Sequence, residues 1–112
     1  MKATANNRFS LGLKLNNDQT SNAMARIGVH TTHHSWISSE NGTTLLEIFG
    51  GSYTPNTDMK IKFVYNQGNM KLYIDDVYQG EANIAYYPIY LMLHSYSTSK
   101  TVSVSNIKIK PL

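Results

Sequence analysis

No cysteine occurs among the 112 residues, so neither a disulfide framework nor a thiolate metal site is available. That absence fits a reducing compartment and a cysteine-poor outer surface equally well. No stretch approaches the roughly 20 apolar residues of a membrane span, and residues 1–9 carry no apolar run of the signal-peptide kind. Membrane insertion is therefore not expected, and an exported protein would be represented here by its mature part. Charged residues make up only 15% of the chain, and nowhere do apolar residues recur at the 3.6-residue spacing of a helix. Neither an arginine cluster nor an RNA-binding aromatic motif accompanies the net charge of +3, so nucleic acid is not an expected partner. The lysines, with Lys60, Lys62 and Lys71 close together, read instead as the solvated face of strands, where they blunt sheet edges against aggregation.

What is present is β-forming material: Asn, Ser, Thr and Gly in quantity, with 8 Tyr, 3 Phe and 1 Trp. Residues 59–78, MKIKFVYNQGNMKLYIDDVY, carry the clearest pattern. Ile61, Phe63 and Tyr65 fall on one side of a first strand and Met70, Leu72 and Ile74 on one side of a second. Lys60, Lys62, Lys71 and Tyr73 lie opposite, which is the period-2 signature of a half-buried antiparallel hairpin. Residues 66–69, NQGN, tolerate the positive φ that a tight turn requires, and Asp75 with Asp76 offers a second turn into a third strand.

The rest of the chain extends this reading. Residues 8–15 alternate, with Phe9, Leu11, Leu13 and Leu15 on one face and Arg8, Ser10, Gly12 and Lys14 on a face expected to be wet. Residues 16–22 lack any apolar side chain and read as a loop. Residues 24–30 are extended again, with Gly28 marking a bulge or a close approach. A short strand around Trp36 leads through the Asn41-Gly42 turn signal to its hairpin partner over 43–49. The glycine-rich link 50–58 is long enough to carry the chain from one sheet to another. Residues 80–87 are ambiguous. The run IYLMLHSY after Pro88 is apolar on both faces and reads as an inner strand. A last strand over 101–110 changes apolar phase between Val102, Val104 and Ile107, Ile109, which a bulge near Ser105-Asn106 would reconcile.

Roughly eight or nine short strands joined by polar turns predict an all-β fold, a single antiparallel β-sandwich domain over residues 1–112, with a jelly roll fitting better than an immunoglobulin arrangement. The elements IKFVY, NQGN, MKLYIDD, VYQG, PIYLMLHSY and VSNIKIKPL, covering about half the chain from residue 59 to 112, resemble the back half of the concanavalin A-like, or laminin-G-like, lectin and glucanase superfamily. FSLGLKL and MARIGVHTTHHSWI are similar to its opening strands, although the chain is shorter than the usual member. The resemblance implies a concanavalin A-like jelly roll and points to modules of larger surface adhesins or virion appendages, hence an extracellular, cell-surface or virion-surface location. It implies little about activity, because the shared pattern is a structural hairpin.

Chemistry narrows the function. Retaining glycosidases need two carboxyl groups about 5–5.5 Å apart, and no spaced set of carboxylates of the kind used in this superfamily is present. Only Asp75 and Asp76 are close in sequence, and in a turn such residues most often satisfy the backbone. With no Gly-x-Ser-x-Gly elbow either, the protein is expected not to be an enzyme. His30, His33 and His34 form HTTHH, but on an extended strand His30 and His34 stand roughly 13 Å apart, too far for a shared metal unless the chain turns at Thr31-Thr32. No cofactor is expected. Calcium, which lectin-type members often hold, could use Asp18 with Asn16 and Asn17, or Asp58 with Asn56, neither at a diagnostic spacing.

The aromatic residues are the better lead. Sugars offer apolar C–H faces flanked by hydroxyls, which proteins meet with flat rings and polar side chains. Trp36, His34, Tyr53, Tyr73, Tyr90, His94 and Tyr96 are the candidate ligand-binding residues, with Tyr90, Met92, His94 and Tyr96 sharing one strand face. The expectation is a non-catalytic recognition or adhesion module for glycan or another cell-surface ligand. The alternative is a structural or assembly domain whose aromatic face makes an oligomer interface.

Overall fold

The computed structural model describes residues 1–6, 9–14, 26–38, 43–84, 90–95 and 99–111. Its regular elements are all strands: β1 (Lys2–Ala3), β2 (Phe9–Lys14), β3 (Arg26–His30), β4 (Ser35–Ser38), β5 (Thr44–Ile48), β6 (Ile61–Asn66), β7 (Asn69–Ile74), β8 (Val77–Asn83), β9 (Tyr90–Ser95) and β10 (Val102–Ser103). Among the described residues no helix is long and apolar enough to cross a membrane.

The 59–78 segment folds as its pattern predicts. Ile61 pairs with Ile74, Phe63 with Leu72 and Tyr65 with Met70, so the apolar sets of β6 and β7 share one face. The turn between them has positive φ at Gln67 (48°) and Gly68 (84°), and the next has it at Asp75 (50°) and Asp76 (65°). Two successive left-handed residues give a turn the right-handed twist that matches the flanking strands. Asp75 closes its turn by accepting the Lys60 backbone N–H at 2.8 Å, and Asp76 holds the Lys60 ammonium.

Three antiparallel sheets result: β6-β7-β8, β5-β4-β3-β2-β9, and the short pair β1-β10. A bridge from Lys2 to Asp58 ties the short pair to the chain just before β6. The link 50–58 does carry the chain from the five-stranded to the three-stranded sheet, and the apolar faces of the two pack together. Ile37 meets Met70, Leu72 and Ile84, with Leu13, Leu46, Phe63 and Tyr65 around them. Phe9, Leu11 and Val29 meet Ile74, Met59, Tyr53, Met1 and Ala3. At the β5–β8 contact, Gly80 leaves room for Leu46 and Ile48, whose methyls would lie 2.8 and 2.9 Å from a Cβ placed there. The architecture is therefore all-β and sandwich-like.

Three expectations are corrected. The second face of β2 is not wet, because Ser10, Gly12 and Lys14 are buried. β9 is an edge strand rather than an inner one, pairing only with β2 among the described strands, and Leu91 and Leu93 remain 50% and 45% exposed. Composition alone could not place it, since an apolar run is equally compatible with burial and with an uncovered edge. The last strand is confined to Val102–Ser103: Ala3 pairs with Val102 and Lys2 with Ser103, which puts Val104 opposite Met1, where this ladder stops. The residue that turns the chain is Asn106, at φ 53°. The expected loop 16–22 and the Asn41-Gly42 turn lie outside the described residues, although β4 and β5 pair as that turn implies.

Candidate functional site

Directly opposed residues of neighbouring strands share a face, so the register of the five-stranded sheet determines what it presents away from the core. Gly12 stands between Met92 and Gly28, and Gly28 stands opposite Trp36, which stands opposite Glu47. In the next row, Ser10 lies between His94 and His30. This outer face thus carries a glycine-floored centre flanked by aromatic and histidine side chains.

Trp36 lies flat on that floor. A Cβ at Gly28 would be 2.3 Å from the indole Cη2 and 2.8 Å from the Leu11 carbonyl oxygen. Gly28 is therefore a site of close approach, with an indole ring occupying the space and no break in the β2–β3 register. The indole is only 6% exposed, buried on a face turned away from the two core clusters.

Beside Trp36 the chain reverses between β3 and β4. The His30 N–H donates to the His34 carbonyl and the His33 N–H to the His30 carbonyl, both at 2.9 Å, and the Thr31 N–H donates to Phe9. This is the turn at Thr31-Thr32 that an extended reading of HTTHH lacked, and it stacks the His30 and His34 rings with centroids 5.3 Å apart. His30 lies 4.6 Å from Trp36, and His34 stacks on Phe49 at 4.2 Å and 13°. Trp36, His30, His34 and Phe49 form a continuous ring ladder. The link after β5 is held against this turn, because Gly51, at φ 63°, leaves space that the His33 ring fills. Glu47 accepts a hydrogen bond from His34 Nε2 at 2.7 Å, fixing the imidazole plane. Among the described residues no group of three or more His, Asp or Glu is placed to hold a metal ion.

The ladder ends in water, since Phe49 is 74% exposed. An uncovered ring backed by an imidazole, with a half-exposed carboxylate on that imidazole, offers a flat apolar platform beside a hydrogen-bond acceptor.

The candidate residues are divided by this geometry. His34 belongs to the ladder, and Trp36 is its buried base rather than a wet platform. Tyr90 and His94 lie on the same outer face but at the far edge, on β9. Tyr53 leaves the ligand-facing set: its ring is in the core, and its hydroxyl accepts from the Ala3 N–H at 2.8 Å and donates toward backbone carbonyls of Thr57 and Ala3. Tyr73 is on the other sheet, where Lys62 sits 4.2 Å over its ring and Tyr78 packs against it at 5.6 Å. Beside it the Tyr78 hydroxyl donates to Glu81 at 2.6 Å. Tyr96 lies outside the described residues, as do Asp18 and its neighbours, while Asp58 and Asn56 are exposed.

Phe49, Glu47 and His30 were not among the ligand-binding candidates, His30 having been weighed only as a metal ligand. A signal for the first two was available: Leu45, Glu47 and Phe49 share a parity opposite to that of Leu46 and Ile48, so a ring on the carboxylate's side of β5 faces outward. No protein-family model, curated protein or solved structure matches the chain.

Proposed function

We propose that this protein is a non-catalytic recognition module, with a jelly roll of the concanavalin A-like type, that binds glycan at a cell or virion surface. The observation that carries this reading is the exposed Phe49 ring stacked on His34, with the Glu47 carboxylate hydrogen-bonded to that same imidazole. A sugar laid on Phe49 would place its C–H face on the ring and a hydroxyl within reach of Glu47. Three carboxylates away from this ring are already engaged, Asp75 and Asp76 with Lys60 and Glu81 with Tyr78.

Glycan-array binding of the parent chain and of Phe49→Ala tests the reading. Loss of the ring should weaken binding about fivefold to tenfold, the equivalent of about 1 kcal/mol for an aromatic contact. Phe49→Trp should retain it. Equal glycan binding by the parent and Phe49→Ala, or no glycan binding by the parent, would remove the site from consideration.

A further inference from the structure

Among the described residues there is a sheet edge without a second strand and an alternating segment without a sheet. β9 is paired on one side only among the described strands. The register places Leu91 beside Leu13 and Leu93 beside Leu11, so both point to the core side of the sheet. They nevertheless remain 50% and 45% exposed. An edge strand turns alternate backbone N–H and C=O groups outward, a ready template for another strand. The segment 105–110 lies beyond the β1–β10 ladder and is exposed throughout. It alternates apolar Ile107 and Ile109 with Lys108 and Lys110, and its two isoleucines are 60% and 95% exposed.

We infer that two copies of this chain associate by exchanging these parts, residues 107–110 of each copy adding as a strand to β9 of the other, alongside Tyr90–Leu93. Residues 107–110 lie beyond the left-handed Asn106, four residues against the four of β9 that carry Leu91 and Leu93, Tyr90–Leu93. The side-chain period agrees: Ile107 and Ile109 are spaced like Leu91 and Leu93, and on an added strand both pairs fall on the core side while Lys108 and Lys110 face water alongside Tyr90 and Met92. Within one chain the two parts do not cover each other, since all four apolar side chains are exposed. A second copy supplies both in equal number, and a twofold exchange closes on itself, leaving neither of these parts for further growth. Phe49 follows β5, at the opposite edge of the five-stranded sheet, so the association does not depend on the glycan reading.

Light scattering on the 112-residue chain over a concentration series tests the inference. The expected mass rises from one chain to two with concentration. Ile107→Lys with Ile109→Lys should raise the dissociation constant at least tenfold with an unchanged circular dichroism spectrum, because the exposed isoleucines contribute little to the single chain. Leu91→Lys with Leu93→Lys should do the same, and mixing the two double variants should restore part of the two-chain mass, because one intact segment then meets one intact edge. A single-chain mass at every concentration up to about 1 mM overturns the inference. So does a two-chain species unaffected by the isoleucine substitutions, which would mean that the edges pair with each other. Should the leucine variant fail to fold, the isoleucine variant still decides.

Discussion

Trp36 and Phe49 show how little a residue's type says about its role. A single tryptophan in a chain rich in turns invites the reading of a sugar platform, yet a floor without side chains lets the indole lie down and be buried. The phenylalanine has no floor and stays wet. What distinguishes them is a tertiary pairing, Gly28 against Trp36, and the spacing of residues in the chain does not encode it. Gly28 was legible as a place of close approach, whereas the identity of the approaching group was not. The same holds for Tyr78, an exposed ring whose hydroxyl is committed to Glu81. That hydrogen bond pushes the Tyr78 phenol up to about 12 from its ordinary 10.0, and hydrogen bonds from Tyr78 and then Asn69 hold the Glu81 carboxyl below its ordinary value. The signs are opposite in pH. The phenol's contribution is complete below its ordinary value and is lost as pH rises through about 12. The carboxylate's is complete above its ordinary value of 4.5 and is lost as pH falls through the depressed one. Tyrosinate absorbance during an alkaline titration should therefore show one late-titrating phenol, and in Glu81→Gln that phenol should move back toward its ordinary range. An unchanged late phase in the variant would place its cause elsewhere.

At the scale of elements, local signals carried furthest. The 59–78 double hairpin was legible because apolar alternation and turn chemistry agree over the same residues, and its register follows from both. The strands at the sheet's other end were harder: β2 alternates and the β9 run is apolar on both faces, which points to β9 as the more enclosed of the two, but among the described strands β2 has a strand on each side and β9 has one. Neighbours decide burial, and neighbours are not local. The His30–His34 turn shows the reverse failure, since HTTHH has no glycine or proline to announce a reversal and the turn is set by two backbone hydrogen bonds. The agreement in the hairpin can be improved. Gln67 occupies a left-handed conformation at φ 48°, which costs an ordinary L-residue about 1–2 kcal/mol and asparagine less. Gln67→Asn creates the Asn-Gly pair favoured at this turn type and should raise the unfolding free energy by about 0.5–1 kcal/mol, part of that cost. Chemical denaturation would show it as a higher midpoint at constant slope; a lower midpoint would mean that the Gln67 side chain contributes something the asparagine cannot replace.

For the whole molecule, the decisive fact is that neither sheet has a core of its own. Met70 and Leu72 on β7 are buried because Ile37 on β4 and Leu13 on β2 cover them, and Phe9 and Val29 are buried in the same cluster as Ile74. A three-stranded sheet deprived of its covering layer would expose an apolar face to water, so the layers should be lost together, as is usual for a chain of this length. Met70 is fully buried, and Met70→Ala removes several heavy atoms where the surroundings can only partly collapse, at a cost of about 2–5 kcal/mol. That is a large part of the ~5–15 kcal/mol that holds such a domain folded. Trp36 provides an independent reporter because it lies on the far face of the other sheet, in neither of the core clusters. If the two layers form one cooperative unit, the substitution on β7 should lower the unfolding midpoint seen by Trp36 fluorescence by the same amount as the midpoint seen by far-ultraviolet circular dichroism. A tryptophan transition that stayed in place while the dichroism moved would mean that the five-stranded sheet persists alone. The ladder of Trp36, His30, His34 and Phe49 would then owe its rigidity to the strand pairing beneath it, and the second layer would not be needed to keep it in shape.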